Sequence, residues 1–551
     1  MTLFYGRERK DLWFAFASVF VVALAFAIYT QHAWEDYYIT YRVSKNLATG
    51  QGLVYTVGER VHAFTSPLNV LLPAGFSRLI GNRSDELVLW LFRLVSMTAL
   101  AGAGVLLLDS ARKSALGWFA SLTMVGVVAL DAKIVDFSIN GQETGLMMFF
   151  LALTLHAFTV PSRWMIGKLG LAGAGLLWTR PDGFVYFGVV ALGFLVFSGG
   201  RLVGCPRAKL LKNLFWAGLI MGIFYLPWVL WAYYYFGSPI PHTITAKEIV
   251  RQAYASQQGP ILVSLLIYPF QMLVGGTSLD SSFLPAYALS FGGWHWTAVW
   301  FSRFLGCVCG FYWCLPSGRS QARAVSFAFL LSHFYLTRVV VAFAPWYIPN
   351  CTILAAFVLG HVVQHGLEFA RARKSHSWMR CLNASFKGFA VTILGISALL
   401  LLCSAFQMRV QQREIEEGNR KQIGLWLREH AGSRNETVLL ECLGYIGYFS
   451  QLKMLDVPGL CAPEVVAAER KLGSSRAVEL VPELKPDWLV LRPFEVAQIE
   501  ELAPRLLLDT YSLIQVFDVS ERISAYRWLP GRGWLNFDEK FLLYQRKTPR
   551  T

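Results

Sequence analysis

Residues 12–30, "LWFAFASVFVVALAFAIYT", contain no charged side chain and have roughly the 20-residue length that carries a helix across the hydrocarbon core of a bilayer. The run is longer than the apolar core of a secretory leader, which favours a retained span over a cleaved signal. Further apolar runs of near-spanning length follow at about 86–108, 115–130, 142–160, 165–179, 182–198, 212–234, 297–314, 324–341, 345–364 and 387–407, giving eleven crossings. Composition agrees: 55% of the 551 residues are hydrophobic and only 15% charged, far more apolar than a soluble chain of this length.

The formal charge of +15 is concentrated in short segments: "GRERK" at the start, "ARK" at 111, "SRWMIGK" at 162, "RLVGCPRAKLLK" at 201, "GRSQAR" at 318 and "ARARKSHSWMR" at 370. Eleven crossings place all of them on the cytoplasmic side, as the positive-inside rule expects. Topology and anionic headgroups account for this charge, and nucleic-acid binding is not implied. Residues 31–85, the 131–141 loop, the "TRPDG" turn at 179, the 235–296 segment, the "FAPWY" turn at 343 and everything after about 408 then face the extracytoplasmic side. The short apolar segments 66–80 and 260–275 read as re-entrant or surface-lying helices, because counting either as a span inverts the downstream charge pattern.

The first extracytoplasmic loop opens with "HAWEDYYITYRVSKNLATGQGLVYTVGERVHAFTSPL", residues 32–68, which sets Glu35 and Asp36 side by side. Ile39, Val43 and Leu47 recur every four residues behind them, so a short amphipathic helix lying on the membrane surface is expected, with both acids in its first turn. Carboxylates there also complement free amides and the helix dipole, a purely structural use. Other polar groups reach the same face. "DFSINGQETG" brings Glu143, "WTRPDGF" brings Arg180 and Asp182, "YYYFGSPIPHTITAKE" brings His242, Thr243 and Lys247, and "HFYLTRVVVAFAPWYIPN" brings Arg338 and Tyr347. Arg180 and Asp182 can simply pair and Lys247 can snorkel. Several ionisable groups collected at one membrane face nevertheless indicate a functional cavity.

From about 410 the composition becomes that of a globular domain. "REIEEGNRKQIGLWLREHA" has helical periodicity, and "ETVLLE", "KMLDVPG" and "DWLVLR" are strand-like runs, so a small α/β domain is expected. No phosphate loop, zinc-spaced cluster or Ser-His-Asp set appears in it. Of nine cysteines only Cys442 and Cys461 lie in this tail, where a disulfide and two free core thiols are both open. The chemistry that fits is group transfer from a lipid phosphate: a carboxylate orients or deprotonates an acceptor hydroxyl while Arg, Lys and His neutralise the departing phosphate. A lipid-borne donor needs no nucleotide fold.

The ordered pattern resembles the polyprenyl-phosphate-dependent glycosyltransferases of GT-C type, most closely the terminal arabinofuranosyltransferase branch. It runs from the 35–68 loop through "NGQETGLM", "WTRPDGF" and "YYYFGSPIPHTITAKE" to "GYIGYFSQLKMLDVPGLCAPEVV" and "KPDWLVLR", covering most of the chain in order. The resemblance implies a polytopic α-helical membrane protein of GT-C fold over 1–408, with about eleven transmembrane helices, and a C-terminal extracytoplasmic α/β domain over 409–551. Asp36 matches the second acid of the family pair and Glu35 the first, with Glu for the usual Asp; Glu143 matches a Met-Glu-Thr acid, and Arg180, Asp182 and Gly183 an Arg-Pro-acid-Gly turn. His242 replaces a frequent Asn, and His62 stands where an acid is usual after Gly-Glu-Arg-Val, so Arg60 and His62 are read as acceptor or loop support. Asp456, Gly459 and Leu460 match a strand-turn string near the site.

The expectation is transfer of a sugar, arabinofuranose by resemblance, from a polyprenyl-phosphate donor to an envelope glycan or protein acceptor outside the cytoplasmic membrane. Asp36, Glu35 and Glu143 are the catalytic candidates; Arg180, Asp182, His242, Lys247, Arg338 and Tyr347 are the candidates for donor phosphate or sugar. No cofactor is required, although paired carboxylates suit Mg²⁺ or Ca²⁺. Two alternatives stand beside this: the same fold moving a hexose or aminosugar to lipid A, pilin or another acceptor, and a transporter or flippase of lipid-linked sugars. The latter commonly carries internal repeats and midplane charges, whereas here the acids gather at one face.

Overall fold

The computed structural model describes residues 2–197, 206–248, 251–252, 259–340, 343–372 and 377–547. The basic clusters at 201 and 370, the ends of the runs at 182–198 and 324–341, and Cys205 lie partly or wholly outside them. All eleven predicted apolar runs coincide with helices. Five helical stretches, Arg9–Thr30, Asp85–Lys113, Arg207–Phe236, Pro345–Ala372 and Trp378–His430, are each long and apolar enough to cross a membrane. The others are shorter, such as Trp118–Leu130 at 13 residues and Thr144–Thr159 at 16. At 1.5 Å per residue these rise only about 20–24 Å, less than the roughly 30 Å core. Short helices are tolerated at membrane depth where protein covers their ends. Thr144–Thr159 is such a case, buried along almost its whole length. By contrast Arg207–Phe236 exposes Ile223, Leu230 and Tyr234, as a helix against lipid does.

The breaks that shorten these helices occur at one end of the bundle. Asp131 ends Trp118–Leu130 and accepts the Ile134 amide at 2.9 Å, turning the chain into the Ala132–Ile139 helix. Residues 140–143 and 180–182 make further turns, and Ser320–Tyr335 runs on into a π-helical turn, Leu336–Val340. The two short apolar segments also form helices, Pro67–Leu79 and Ile261–Val274. Ser66 caps the first of these by accepting the Asn69 amide, with Pro67 at its first position.

The C-terminal domain is not appended through a loop. Helix Ser377–Val410 continues through a π-helical segment, Gln411–Arg420, into Lys421–His430. The five-stranded sheet follows, built from β1 (Thr437–Leu440), β2 (Lys453–Asp456), β3 (Trp488–Leu491), β4 (Tyr511–Asp518) and β5 (Lys540–Arg546). Strand order is β2-β1-β3-β5-β4, with β1, β2 and β3 parallel and β5 antiparallel to both its neighbours. Cys442 and Cys461 are buried free thiols.

The Glu35–Ala48 helix does not lie on a surface. Tyr37, Ile39, Tyr41, Arg42 and Val43 are buried, and Arg42 donates to the carbonyls of Gly447 and Leu452 at 2.9 and 3.0 Å. The C-terminal domain covers the face that the apolar spacing had directed toward lipid. Its start is fixed from the bundle side by Arg93, a buried cation inside the second long span. Arg93 donates to the carbonyls of His32 (2.6 Å), Gln31 and Ile139.

Candidate active site

The helix breaks and the C-terminal domain enclose a cavity of about 620 Å³ at that end of the bundle. Asp36, Glu143, Arg180, Asp182, Lys247 and Tyr347 all line it, although they come from five separate stretches of chain. Trp346 and Thr243 complete the wall, and Pro458 and Leu460 close it from the sheet side.

Glu143 and Arg180 form the most confined part. Arg180 Nη1 donates to Glu143 Oε1 at 2.9 Å, its Nε donates to Asp182 Oδ1 at 3.0 Å, and its guanidinium lies 4.2 Å from the Tyr347 ring centroid. Asn69 Nδ2 takes the other Glu143 oxygen at 3.2 Å. Both Glu143 oxygens are therefore committed, which suits it to fixing Arg180 better than to accepting a substrate proton. The turn that places Glu143 needs Gly141, whose φ of +95° is a left-handed conformation and whose α-carbon faces the Tyr37 ring, where a Cβ does not fit.

Asp36 is placed differently. Its part-exposed carboxyl reaches the cavity, and burial pushes it up to about 6 against the pull of Lys247 and a hydrogen bond with Glu35. Glu441 and Glu143 oppose its ionisation further. A carboxylate titrating there is ionised at neutral pH and more basic than an ordinary aspartate, the property a proton acceptor needs. Glu35 points away from the cavity. It accepts the backbone N–H of Gly444, at the start of the Gly444–Ser450 helix, and burial drives its carboxyl well above the usual range despite nearby Arg420. Gly444 is obligatory in that contact, since a Cβ would collide with the Glu35 carbonyl oxygen.

Besides Glu35, four candidates stand outside the cavity wall. His62 is 4% exposed and stacked on Phe236 at 4.4 Å, and burial pushes its imidazole down to about 4, so it is a neutral packing residue. Arg60 is exposed, 5.1 Å over the Tyr235 ring. His242 lends its backbone N–H to the His62 carbonyl at 2.9 Å while its neighbour Thr243 takes the place in the wall. Arg338 is turned from the site by the π-helical turn and donates to the Gly259 carbonyl at 2.7 Å. Of the tail string, Asp456 is fully buried at the end of β2 and accepts the amides of Leu460 (2.5 Å) and Cys461 (2.9 Å), shaping the turn whose Pro458 and Leu460 face the cavity.

Sequence reasoning missed Asn69, Trp346 and Arg93. Trp346 sat inside a quoted motif and Asn69 directly after one, neither with a charge to draw notice. Arg93 did carry a signal, as a lone Arg within an apolar run. A divalent cation would find Glu143 and Asp182 already engaged by Arg180. Among the described residues no group of three or more His, Cys, Asp or Glu side chains is placed to hold a metal.

The fold, with several helices long and apolar enough to cross a membrane, is like that of two solved membrane enzymes of GT-C fold. ArnT from Cupriavidus metallidurans bound to undecaprenyl phosphate matches with a TM-score of 0.51 at 12% identity, covering 98% of each chain. The Archaeoglobus fulgidus oligosaccharyltransferase, in a complex with zinc and sulfate, matches with a TM-score of 0.52 at 13% identity, over 86% of this chain and 67% of its own. In sequence, the chain is 27% identical over 236 residues to a terminal β-(1→2)-arabinofuranosyltransferase of Corynebacterium glutamicum. That alignment covers 39% of this chain and 33% of the enzyme, so the chain matches about a third of that relative's length. A family model described as a domain of unknown function (DUF8728) matches residues 407–540, the end of the last long helix and nearly all of the α/β domain.

Proposed function

We propose that this protein is a glycosyltransferase that moves a sugar, arabinofuranose in the first instance, from a polyprenyl-phosphate donor to a glycan or protein acceptor on the extracytoplasmic side of the cytoplasmic membrane. The observation that carries this reading is the Asp36 carboxylate, brought into electrostatic contact with Lys247 in a cavity that Arg180 also lines. The acceptor oxygen attacks the anomeric carbon of the donor and its proton passes to Asp36. The bond between that carbon and the phosphate oxygen breaks, and the phosphate leaves with the electron pair. Lys247 and Arg180 neutralise the charge that builds on the leaving phosphate. Glu143, Asp182 and Tyr347 hold the Arg180 guanidinium in one orientation, which removes the reorganisation cost of stabilising that charge. Glu35 positions Asp36 and ties its helix to the C-terminal domain.

The supporting likenesses are an arabinofuranosyltransferase in sequence and, in fold, an ArnT solved with undecaprenyl phosphate. The test is a donor panel with membranes containing the protein: radiolabelled polyprenyl-phosphate arabinofuranose, a matched polyprenyl-phosphate hexose, and the corresponding nucleotide sugars. Label should pass from a polyprenyl-phosphate donor and not from a nucleotide sugar; failure with every lipid donor contradicts the reading.

A further inference from the structure

The long helical stretch Trp378–His430 changes character along one face. Leu399, Leu402 and Phe406 are exposed on it, and Arg409 and Arg413 continue the same stripe in the next two turns. A change from apolar to cationic within one turn marks the level at which a helix leaves the hydrocarbon. Tyr29, at the end of the first span, marks the same level independently, its ring lying 5.5 Å from that of Phe406. A segment of the C-terminal domain rests against this boundary. Val519, Ile523, Leu529 and Leu535 pack with Val410 and Ile415, and Gln407 Nε2 donates to the Gly531 carbonyl at 3.2 Å.

With Leu529 turned inward, Trp528 is turned out: it is 67% exposed, and its ring lies 6.2 Å from that of Phe406. Two thirds of an indole in water is unfavourable, whereas at a bilayer interface the ring is covered and the N–H stays wet. Arg527 stands between Trp528, which meets Phe406, and Tyr526, whose hydroxyl accepts from Arg413. Arg409 stands between Phe406 and Arg413 on the helix, so both arginines fall in the interval between the same two contacts. Both are exposed, and among the described residues neither makes a hydrogen bond or an ion pair. The nearby carboxylates do not serve them: Glu414 is held by Arg413 and approached by Arg522 at 3.7 Å, Glu417 accepts from Gln412, and Glu521 lies beyond Arg522 in the chain.

We infer that Arg409, Arg527, Trp528 and Phe406 form a binding site for an anionic phospholipid of the leaflet beneath the C-terminal domain. The phosphate lies between the two guanidiniums, which supply charge-assisted hydrogen bonds, and an acyl chain runs under the indole along Phe406 and Leu402. None of these residues lines the cavity, so the site is separate from the transfer reaction and does not depend on which donor is used. Its lipid braces the C-terminal domain on the last span, because the segment that carries Trp528 is the one packed on Val410 and Ile415.

The test uses the full-length protein in detergent micelles doped with phosphatidylglycerol bearing a diazirine on one acyl chain, or phosphatidylcholine bearing the same group, with cross-links mapped by mass spectrometry. The phosphatidylglycerol probe should label the peptides around Phe406 and Trp528. Unlabelled phosphatidylglycerol should compete about thirtyfold better than phosphatidylcholine, the scale of two arginines at roughly fivefold each near an anionic headgroup. Arg409→Gln with Arg527→Gln should lose that preference. Arg409→Lys with Arg527→Lys should keep most of it, which guards against a folding defect in the glutamine pair. Trp528→Ala should weaken labelling by both probes. Equal labelling by the two phospholipids, the mark of ordinary boundary lipid, overturns the site, as does an undiminished preference in the glutamine pair. Stronger competition by undecaprenyl phosphate than by phosphatidylglycerol overturns it too, by making this a place for carrier lipid.

Discussion

Asp36→Asn should remove transfer and at the same time make the protein more stable. The carboxyl is held at about 6 in the fold, against an ordinary value of 3.8, chiefly by burial. A shift of that size corresponds to about 3 kcal/mol of cost when the group is ionised. Partial exposure reduces the expected gain to about 1–2 kcal/mol, the attraction to Lys247 being already contained in the value of about 6. The sign follows from the direction: a raised folded value means the fold binds the proton more tightly than the unfolded chain. The cost is therefore fully present above about pH 6 and fades as pH falls toward 4. Thermal unfolding in detergent, followed by tryptophan fluorescence, should place Asp36→Asn above wild type at about pH 7.5, with the gap closing by about pH 4. A mutant less stable than wild type at the higher pH, or a gap that does not change with pH, refutes the reasoning.

Three further outcomes follow from the same geometry. Transfer should fall tenfold per pH unit below an acid limb near 6, set by Asp36, and Lys247→Met, which removes the charge that holds that value down, should move the limb upward by about one unit in a pH–rate profile. Glu143→Ala leaves Arg180 buried with Asp182 as its remaining carboxylate, and should destabilise by about 3 kcal/mol, whereas Glu143→Gln, which keeps hydrogen-bonding atoms in place, should cost less than half as much in the same unfolding measurement. His62→Phe should leave transfer and stability within about 1 kcal/mol of wild type, because the imidazole is already neutral, stacked and, among the described residues, without a partner at its buried Nδ1; a large loss of acceptor use would return His62 to the site.

The helical runs were legible because the bilayer imposes one length and one polarity on each span. The shared membrane face of Asp36, Glu143, Arg180, Lys247 and Tyr347 was legible because topology alone sends alternate loops to one side. What sequence could not show was orientation within a face. Arg338 and Val340 are two residues apart, yet a π-helical turn points the valine into the cavity and the arginine to a backbone carbonyl. The Glu35–Ala48 helix has an apolar stripe that fits lipid and a protein partner equally well, and its real cover, the segment around Gly444–Ser450, lies about 400 residues away in the chain. β1, β2 and β3 were readable as buried apolar runs, each bounded by Gly, Pro or charge. β4 was not, since "YSLIQVFD" is exposed over most of its length as an edge strand and lacks the alternation that marks a half-buried one.

The central claim is that Asp36 is the carboxylate that receives the acceptor proton, and single-turnover transfer of labelled sugar from polyprenyl-phosphate arabinofuranose tests it most directly. Wild type and Asp36→Asn would be compared at equal amounts of folded protein and saturating donor, with Glu35→Gln alongside. The account predicts transfer abolished in Asp36→Asn with donor binding retained, and a partial loss in Glu35→Gln. Undiminished transfer by folded Asp36→Asn contradicts it and moves the reactive carboxylate elsewhere.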